Sequence, residues 1–249
     1  MIELKDIHKS FGAKHVLRGV NLSVNSGESM VIIGGSGSGK SITIKCILGL
    51  IQPDAGQILL DGKDVTTLER TAFLDRFGML FQGGALFDSM PVWQNIAFRL
   101  IHRGMGKAEA LDLAKEKLAR VGLAPEVAEL FPAELSGGMM KRVGLARAIA
   151  ANPEIIFFDE PTTGLDPIMS GVINGLIREV VTDLGATAVT ITHDMSSVRA
   201  IADRVAMIHQ GVIRWEAAAS DIDASGDEIV DQFVHGRPEG PLTAEAVRG

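Results

Sequence analysis

The chain has 249 residues, 46 % of them apolar, which allows one large domain or two small ones with a sizeable core. Its net charge of −7 argues against sequence-independent binding to nucleic acid, which depends on a basic surface. The single cysteine, Cys46, excludes an internal disulfide and fits a reducing compartment. We find no signal peptide and no apolar run near the ~20 residues that span a bilayer, and therefore expect a soluble protein.

The first 33 residues read as short strands separated by turns, and residues 58–60 add another strand to the same small sheet. The apolar run Met30–Ile33 then leads into a glycine-rich loop. That loop fits the phosphate-binding pattern of glycine, four residues, glycine, lysine and serine, and consists of Gly34, Gly35, Ser36, Gly37, Ser38, Gly39, Lys40 and Ser41.

A helical pattern follows this loop, so its glycines lie where a strand turns into a helix and backbone N–H groups can converge on an anion. We predict that Lys40 reaches the β- and γ-phosphates of a nucleotide and that the Ser41 hydroxyl ligates magnesium. The alternative is a glycine-rich turn that binds nothing, which the strand–loop–helix context disfavours.

A strand over Phe77–Phe81 ends at Gln82, and a helical insertion is predicted between about residues 83 and 151. Within it, Ser136 is a good N-cap, and the following Gly137 and Gly138 leave backbone N–H groups exposed. This helix start is either an ordinary cap or a second anion site. One nucleotide hardly needs two such sites from one chain, so a second site would serve the nucleotide of a partner subunit.

Ile155–Phe158 is a buried strand that ends in two acids, Asp159 and Glu160. We predict that Asp159 holds magnesium through its water shell and that Glu160 orients the attacking water and accepts its proton. The alternative is a solvated acid pair that caps the turn at Pro161.

Gln82 and His193 each follow a predicted strand, at the edge of the sheet where ligands bind in open α/β folds. Gln82 is expected to bridge magnesium and the attacking water, and His193 to donate to the γ-phosphate. Each residue taken alone would more often be an ordinary polar turn residue.

Strands and helices alternate, which predicts an α/β protein with a mainly parallel sheet. We expect a domain over residues 1–216, with a core formed by 1–82 and 152–216 and a helical subdomain over 83–151. Residues 217–249 form a tail that is expected to be loosely structured, apart from a short turn carrying Ile229, Val230 and Phe233.

Taken together, the motifs resemble the nucleotide-binding subunits of ABC transporters, in that family's order: the Walker A loop (34–41), Gln82, the signature (135–139), Walker B (155–160), the D-loop Gly164-Leu165-Asp166 and His193. The resemblance implies a P-loop NTPase (RecA-like) core with an N-terminal antiparallel β subdomain and an inserted helical subdomain. It also implies ATP and Mg²⁺ as ligands and a head-to-tail homodimer with two ATP molecules between the Walker A loop of one copy and the signature of the other. Glu160 would be the base, His193 the γ-phosphate sensor and Asp166 a link across the dimer.

Two positions depart from the family pattern. The signature ends in Met139 where the family usually has glutamine, and the chain contains no tyrosine to stack on adenine. Phe11 occupies the corresponding turn, and we expect its ring to stack on the base instead.

Residues 81–88, 139–142 and 233–241 resemble the Mla type, the ATPases of phospholipid trafficking. That resemblance implies two membrane permease subunits, a small regulatory subunit, a periplasmic lipid-binding protein and a peripheral position on the cytoplasmic face of the inner membrane. The tail would reach the neighbouring ATPase subunit. Residues 83–105 would dock the permease, with Phe87 and Met90 exposed, and no nucleic-acid partner is implied.

Other functions remain open. An ATPase of an importer for amino acids or another small solute shares the same motifs. A soluble, non-transport ABC ATPase usually carries a coiled-coil insertion or two cassettes, neither of which this chain shows. A P-loop kinase would have no use for the sequence Leu135-Ser136-Gly137-Gly138.

Overall fold

The protein is described by a computed structural model that covers residues 1–248, and its internal contacts group it into two units. The first unit contains Met1–Leu68 and the residues from Ile191 onward, and the second contains Glu69–Thr190. The strands are β1 (Ile2–Phe11), β2 (Lys14–Val24), β3 (Ser29–Ile33), β4 (Ala55–Leu60), β5 (Lys63–Asp64), β6 (Phe77–Leu80), β7 (Ile155–Asp159), β8 (Thr187–Ile191), β9 (Arg204–His209) and β10 (Val212–Ala218). The α-helices of the described residues are α1 (Lys40–Ile47), α2 (Arg70–Asp75), α3 (Val92–Ile101), α4 (Lys107–Arg120), α5 (Gly137–Ala148), α6 (Pro167–Leu184), α7 (Met195–Ile201), α8 (Glu228–His235) and α9 (Pro241–Arg248).

The first unit contains an antiparallel sheet with the strand order β2-β1-β4-β5. Strand β1 pairs with both neighbours, so that Ile2 lies opposite Val24 on one side and Leu60 on the other. All three side chains are buried, because alternate residues of each strand face the core. The predicted small sheet is confirmed for β1, β2 and residues 58–60, but β3, which also lies in the first 33 residues, pairs with β9 instead.

Strands β10, β9 and β3 of the first unit lie side by side in that order. Strand β3 runs parallel to β9, with Val31 opposite Val205, and β10 closes the edge antiparallel to β9. Every residue of β3 is buried, which is why Met30–Ile33 is continuously apolar instead of alternating. Strand β3 thereby delivers the glycine-rich loop from a rigid, fully packed element.

In the second unit the strand order is β8-β7-β6, and β6 is parallel to β7 with Phe77 opposite Ile155. The side chains of Phe157 and Phe158 are fully buried, and the Phe73 and Phe77 rings meet edge-to-face at 4.7 Å. This packing fixes the end of β7, where the two acids follow.

The helices predicted in the insertion are present as α4 and α5, which bury Ala114, Leu118 and Val143 among other residues. Helix α6 buries Ile173, Ile177, Val180 and Val181, but Val172 is 38 % exposed. The helical spacing of the apolar residues between 172 and 184 predicts that Val172 lies on the buried side. This prediction is wrong, because one helical position rotates a side chain by about 100° from the face that residue 173 occupies.

The segment after residue 216 is more regular than its composition indicates. Strand β10 continues to Ala218, and Asp227 is the N-cap of α8: its carboxylate accepts from the Ile229 and Val230 N–H groups at 2.9 and 3.1 Å. Ile229 and Val230 are buried. The apolar face of α8 is therefore buried within the first unit, which a loosely structured tail would not achieve.

In the described residues, no helix combines the length and apolar character that crossing a membrane requires.

Candidate active site

The glycine-rich loop of the first unit joins β3 to α1 through two glycines that no other residue can replace without displacement. Gly34 has φ +150°, and a Cβ there would lie 2.3 Å from the carbonyl oxygen of Ile208. Gly39 has φ +115°, and a Cβ there would lie 2.7 Å from the Leu17 side chain. The loop is thus packed closely on its outer side, and glycine supplies both the conformation and the space.

The loop contains two groups that are suited to bind phosphate, the ammonium of Lys40 and the hydroxyl of Ser38. The Lys40 ammonium donates to the carbonyl oxygens of Gly34 at 2.6 Å and Gly35 at 3.0 Å. The Ser38 Oγ atom is buried and has no hydrogen-bond partner among the described residues. Buried hydroxyls are normally paired, so this donor and the loop N–H groups fit a phosphate as the missing acceptor.

A cleft of about 320 Å³ opens in front of this loop. One wall is formed by Phe11, Lys14 and Val16, and the other by residues 37–42. The Phe11 ring is 47 % exposed, and the Lys9 ammonium lies 5.6 Å from its centroid. The structure therefore places Phe11 in one cleft with the phosphate loop, as the stacking prediction requires.

His193 lies next to β3, the strand that leads into the phosphate loop. The preceding Thr192 N–H donates to the Ile32 carbonyl of β3 at 3.3 Å, and Asp194 caps α7 by accepting from Ser196 N at 2.9 Å. His193 is exposed between these two fixed points. Its backbone is therefore held rigidly near the end of β3, with the imidazole accessible.

In the second unit, Asp159 is the last residue of β7, and Glu160 follows with φ +47°. This left-handed conformation costs a non-glycine residue about 1–2 kcal/mol, so the surroundings must hold it. Thr163 supplies two contacts: its hydroxyl donates to Glu160 Oε2 at 3.2 Å and its N–H to the Glu160 carbonyl at 3.3 Å. The Glu160 carboxylate is thus aimed by its own turn.

Lys141 of α5 joins Gln82 to Glu160. Its ammonium donates to the backbone carbonyl of Gln82 and, at 3.3 Å, to that of Glu160. The Lys141 side chain is 5 % exposed. Burial lowers the pKa of Lys141, and the nearby carboxylates of Asp159 and Glu160 oppose that effect.

The signature residues occupy the N-terminus of α5, as predicted. Ser136 is the N-cap, and its Oγ accepts from the Met139 N–H at 3.3 Å. Ser136 and Gly137 are exposed, while a Cβ on Gly138 would lie 2.8 Å from the Met169 side chain. A helix N-terminus with open N–H groups is suited to bind an anion.

Asp166 caps α6. Its carboxylate accepts hydrogen bonds from the N–H groups of Ile168 at 2.9 Å and Met169 at 3.0 Å. Within one chain this residue therefore has a structural role, and its contact across a dimer remains a prediction.

Sequence reasoning missed the side chains that position these residues. Besides Lys141 and Thr163, Arg147 of α5 donates to the carbonyls of Gly84 at 2.6 Å and Ala85 at 2.7 Å. Nothing in the local pattern shows which carbonyl such a cation reaches. The sequence signal that could have indicated these residues is a positively charged side chain on the buried face of a helix.

The residues of the described chain contain no group of three or more His, Cys, Asp or Glu side chains arranged to hold a metal ion.

The sequence matches the ABC transporter family profile over residues 17–163. It is 42 % identical over 246 residues to the methionine import ATP-binding protein MetN of Rhizobium etli, covering 97 % of this chain and 68 % of that protein. It is 39 % identical over 262 residues to the chloroplastic protein TRIGALACTOSYLDIACYLGLYCEROL 3 of Arabidopsis thaliana, covering 97 % of this chain and 75 % of that protein.

Among solved structures, the chain is similar to an ATP-binding cassette captured as a dimer in a post-hydrolysis state with ADP and phosphate. The two share 31 % sequence identity and superpose with a TM-score of 0.79, over 88 % of this chain and 99 % of that one. This similarity confirms the predicted P-loop NTPase fold class.

Proposed function

Because the chain belongs to the ABC transporter family as an ATP-hydrolysing cassette, we propose that it energises the trafficking of phospholipids or related lipids between membranes. The observation that carries the ATPase part is the glycine-rich loop, whose residues Ser38 and Lys40 line one cleft with Phe11. The buried Ser38 hydroxyl of this loop has no hydrogen-bond partner among the described residues. The lipid part is supported by the similarity of residues 81–88, 139–142 and 233–241 to the Mla type.

ATP would lie in the 320 Å³ cleft, with its base against Phe11 and its phosphates on residues 34–41. On binding, the Lys40 ammonium would exchange the Gly34 and Gly35 carbonyls for phosphate oxygens. Phosphate oxygens carry more charge than carbonyl oxygens, so this exchange favours the bound state.

Ser41, Gln82 and Asp159 would hold Mg²⁺, because each offers an oxygen atom, the donor that this ion prefers. The ion, when bound, supplies charge neutralisation on the phosphates. The chain's own residues act on the attacking water and on the γ-phosphate. Gln82 orients the water, Glu160 accepts a proton from the water, and His193 donates a hydrogen bond to the γ-phosphate. General-base assistance of this kind contributes about 10²–10⁴ in rate.

Two copies would form a head-to-tail dimer, in which Ser136, Gly137 and Gly138 of one copy meet the ATP held by the other. The open N-terminus of α5 supports this arrangement, because it offers an anion site that the chain's own fold leaves exposed. The dimer seen for the similar ADP-bound cassette supports it as well. Asp166 would contribute to the same interface.

The permease would dock on residues 83–105, where Phe87 is 43 % exposed and Met90 is half-buried, while Val92, Trp93 and Ile96 belong to the core. Two permease subunits would place the chain on the cytoplasmic face of the inner membrane. A small regulatory subunit and a periplasmic lipid-binding protein complete the proposed assembly, and nucleic acid has no part in it.

A second candidate is an importer of amino acids, favoured by the 42 % identity to the methionine import protein. To separate the two, the chain would be purified with its permease and reconstituted in vesicles containing fluorescent phosphatidylethanolamine. ATP-dependent transfer of that lipid to acceptor vesicles, absent in Glu160→Gln, is the expected result. ATP-dependent uptake of labelled methionine without lipid transfer would establish the importer instead.

A further inference from the structure

Lys141 is a buried ammonium held between two elements that the proposed mechanism uses. Its ammonium group donates hydrogen bonds to the backbone carbonyls of Gln82 and Glu160. We propose that Lys141 is a positioning residue for ATP hydrolysis, which fixes the Glu160 turn and couples it to the segment that begins at Gln82. This inference rests on the proposed role of Glu160 as base.

The Glu160 turn needs support because its φ of +47° is unfavourable for a residue with a side chain. Its carbonyl accepts from two donors, the Thr163 N–H and the Lys141 ammonium, both at 3.3 Å. The Thr163 contact is local to the turn, whereas Lys141 comes from 19 residues away on a packed helix. Lys141 is therefore a contact that ties the turn to a distant helix of the second unit.

Helix α5 also holds the segment after Gln82. Arg147 donates to the carbonyls of Gly84 and Ala85, and a Cβ added to Gly144 would lie 2.7 Å from Leu80 and 3.4 Å from Gly84. Helix α5 and residues 82–85 thus pack as one body over nearly two helical turns. A displacement of that segment must move Lys141, and with it the carbonyl of Glu160.

A purely structural lysine is available for comparison. Lys117 of α4 is 3 % exposed and donates to Asn152 Oδ1 at 3.0 Å, away from the residues with proposed catalytic roles. Both lysines are buried, both bond oxygen atoms, and both belong to the second unit. Replacing Lys117 therefore controls for the loss of a buried lysine as such.

The test compares Lys141→Met, Lys141→Arg and Lys117→Met in steady-state ATP hydrolysis, with thermal unfolding measured in parallel. Misplacement of a catalytic group by about 1 Å can cost around 10²-fold in rate. We expect Lys141→Met to lower kcat by about 10- to 100-fold, with KM for Mg-ATP within about twofold. Lys141→Arg should recover part of kcat, and Lys117→Met should keep it even if its unfolding midpoint falls.

A double-mutant cycle isolates the route of the effect. In a Glu160→Gln background, measured with radiolabelled ATP, Lys141→Met should cause no further loss, because the base that it positions is gone. An equal fold loss in both backgrounds, or equal losses for Lys141→Met and Lys117→Met, would overturn the inference. Should Lys141→Met not fold, the neutral but hydrogen-bonding Lys141→Gln carries the same comparison.

The cycle also distinguishes this inference from its premise. Wild-type turnover in Glu160→Gln would remove the proposed base itself. An inactive Glu160→Gln beside a fully active Lys141→Met would leave the base in place and refute only the positioning role.

Discussion

The side-chain amide of Asn95 bonds both backbone groups of Phe87: it accepts from the Phe87 N–H at 2.7 Å and donates to the Phe87 carbonyl at 3.1 Å. The same amide donates to the carbonyls of Met90 at 2.9 Å and Pro91 at 3.3 Å. Asn95 is fully buried, so one side chain shapes the loop that presents the exposed Phe87 ring.

Replacing Asn95 by alanine removes all four contacts, and the part-buried Phe87 N–H and Met90 carbonyl lose this partner, whereas the Phe87 and Pro91 carbonyls keep their backbone donors. We expect the free energy of unfolding to fall by about 2–4 kcal/mol, since each unsatisfied group costs about 1–3 kcal/mol. Urea denaturation of Asn95→Ala and of the neighbouring Gln94→Ala measures this. Equal denaturation midpoints for the two variants would contradict the role given to Asn95.

Lys40→Ala should weaken ATP binding by about 10- to 100-fold, because a hydrogen bond to a charged group contributes about 1.5–3 kcal/mol. Titration with a fluorescent ATP analogue measures the affinity. Lys45→Ala is the matched control, since Lys45 lies on the same helix and is exposed. An unchanged affinity in Lys40→Ala would refute the phosphate-loop assignment.

Glu160→Gln should retain ATP binding, lower hydrolysis by about 10²–10⁴-fold and accumulate an ATP-bound dimer. Phosphate release and size-exclusion chromatography with ATP measure the two effects. Glu154→Gln serves as the control, because Glu154 lies just before β7 and pairs with Arg76 at 2.6 Å. A monomeric, fully active Glu160→Gln variant would be incompatible with the proposed mechanism.

Phe11→Ala should weaken ATP binding by about 1–3 kcal/mol, roughly 5- to 150-fold, through loss of stacking on the base. Phe11→Tyr keeps an aromatic ring and should bind normally. Phe87→Ala, which removes another exposed ring in the second unit, should leave ATP affinity unchanged. Calorimetric titration with ATP compares the three, and normal binding by Phe11→Ala would rule out the stacking role.

Burial raises the pKa of the Cys46 thiol to about 11. The reactive species is the thiolate. At pH 8 only about 0.1 % of the native thiol is deprotonated, a far smaller fraction than that of an unfolded thiol with a pKa near 8.5. We expect iodoacetamide to modify Cys46 slowly in the native protein and rapidly in urea, as read by mass spectrometry. Because the folded pKa is the higher one, this group's contribution to stability is complete below pH 8.5 and is lost as pH rises toward 11. Complete native labelling within minutes would contradict this.

Several elements were predictable because their signals are local. The glycine spacing of residues 34–41 and the apolar runs that became β3 and β7 each lie within a few residues of chain. Helix α5 was predicted from Ser136 as a cap, since cap chemistry depends on the next three residues. The order of these elements then gave the α/β class.

Other features could not be predicted from the sequence, because they depend on which elements pack against each face of a helix. The apolar spacing places Val172 on the wrong face of α6, and the composition after residue 216 predicts a loose tail although α8 buries Ile229 and Val230. Both errors come from reading apolar content without knowing the surface that receives it.

The sequence by itself determined the phosphate loop, the acids after β7 and the helix that begins at Ser136, because residues close together in the chain encode them. Only the tertiary structure decided that Lys141 reaches Gln82 and Glu160, and that Arg147 reaches Gly84. Those partners are separated by 59, 19 and 63 residues, respectively. A hydrogen bond acts over about 3 Å, so such pairs form only after packing has brought distant carbonyls to the buried cations.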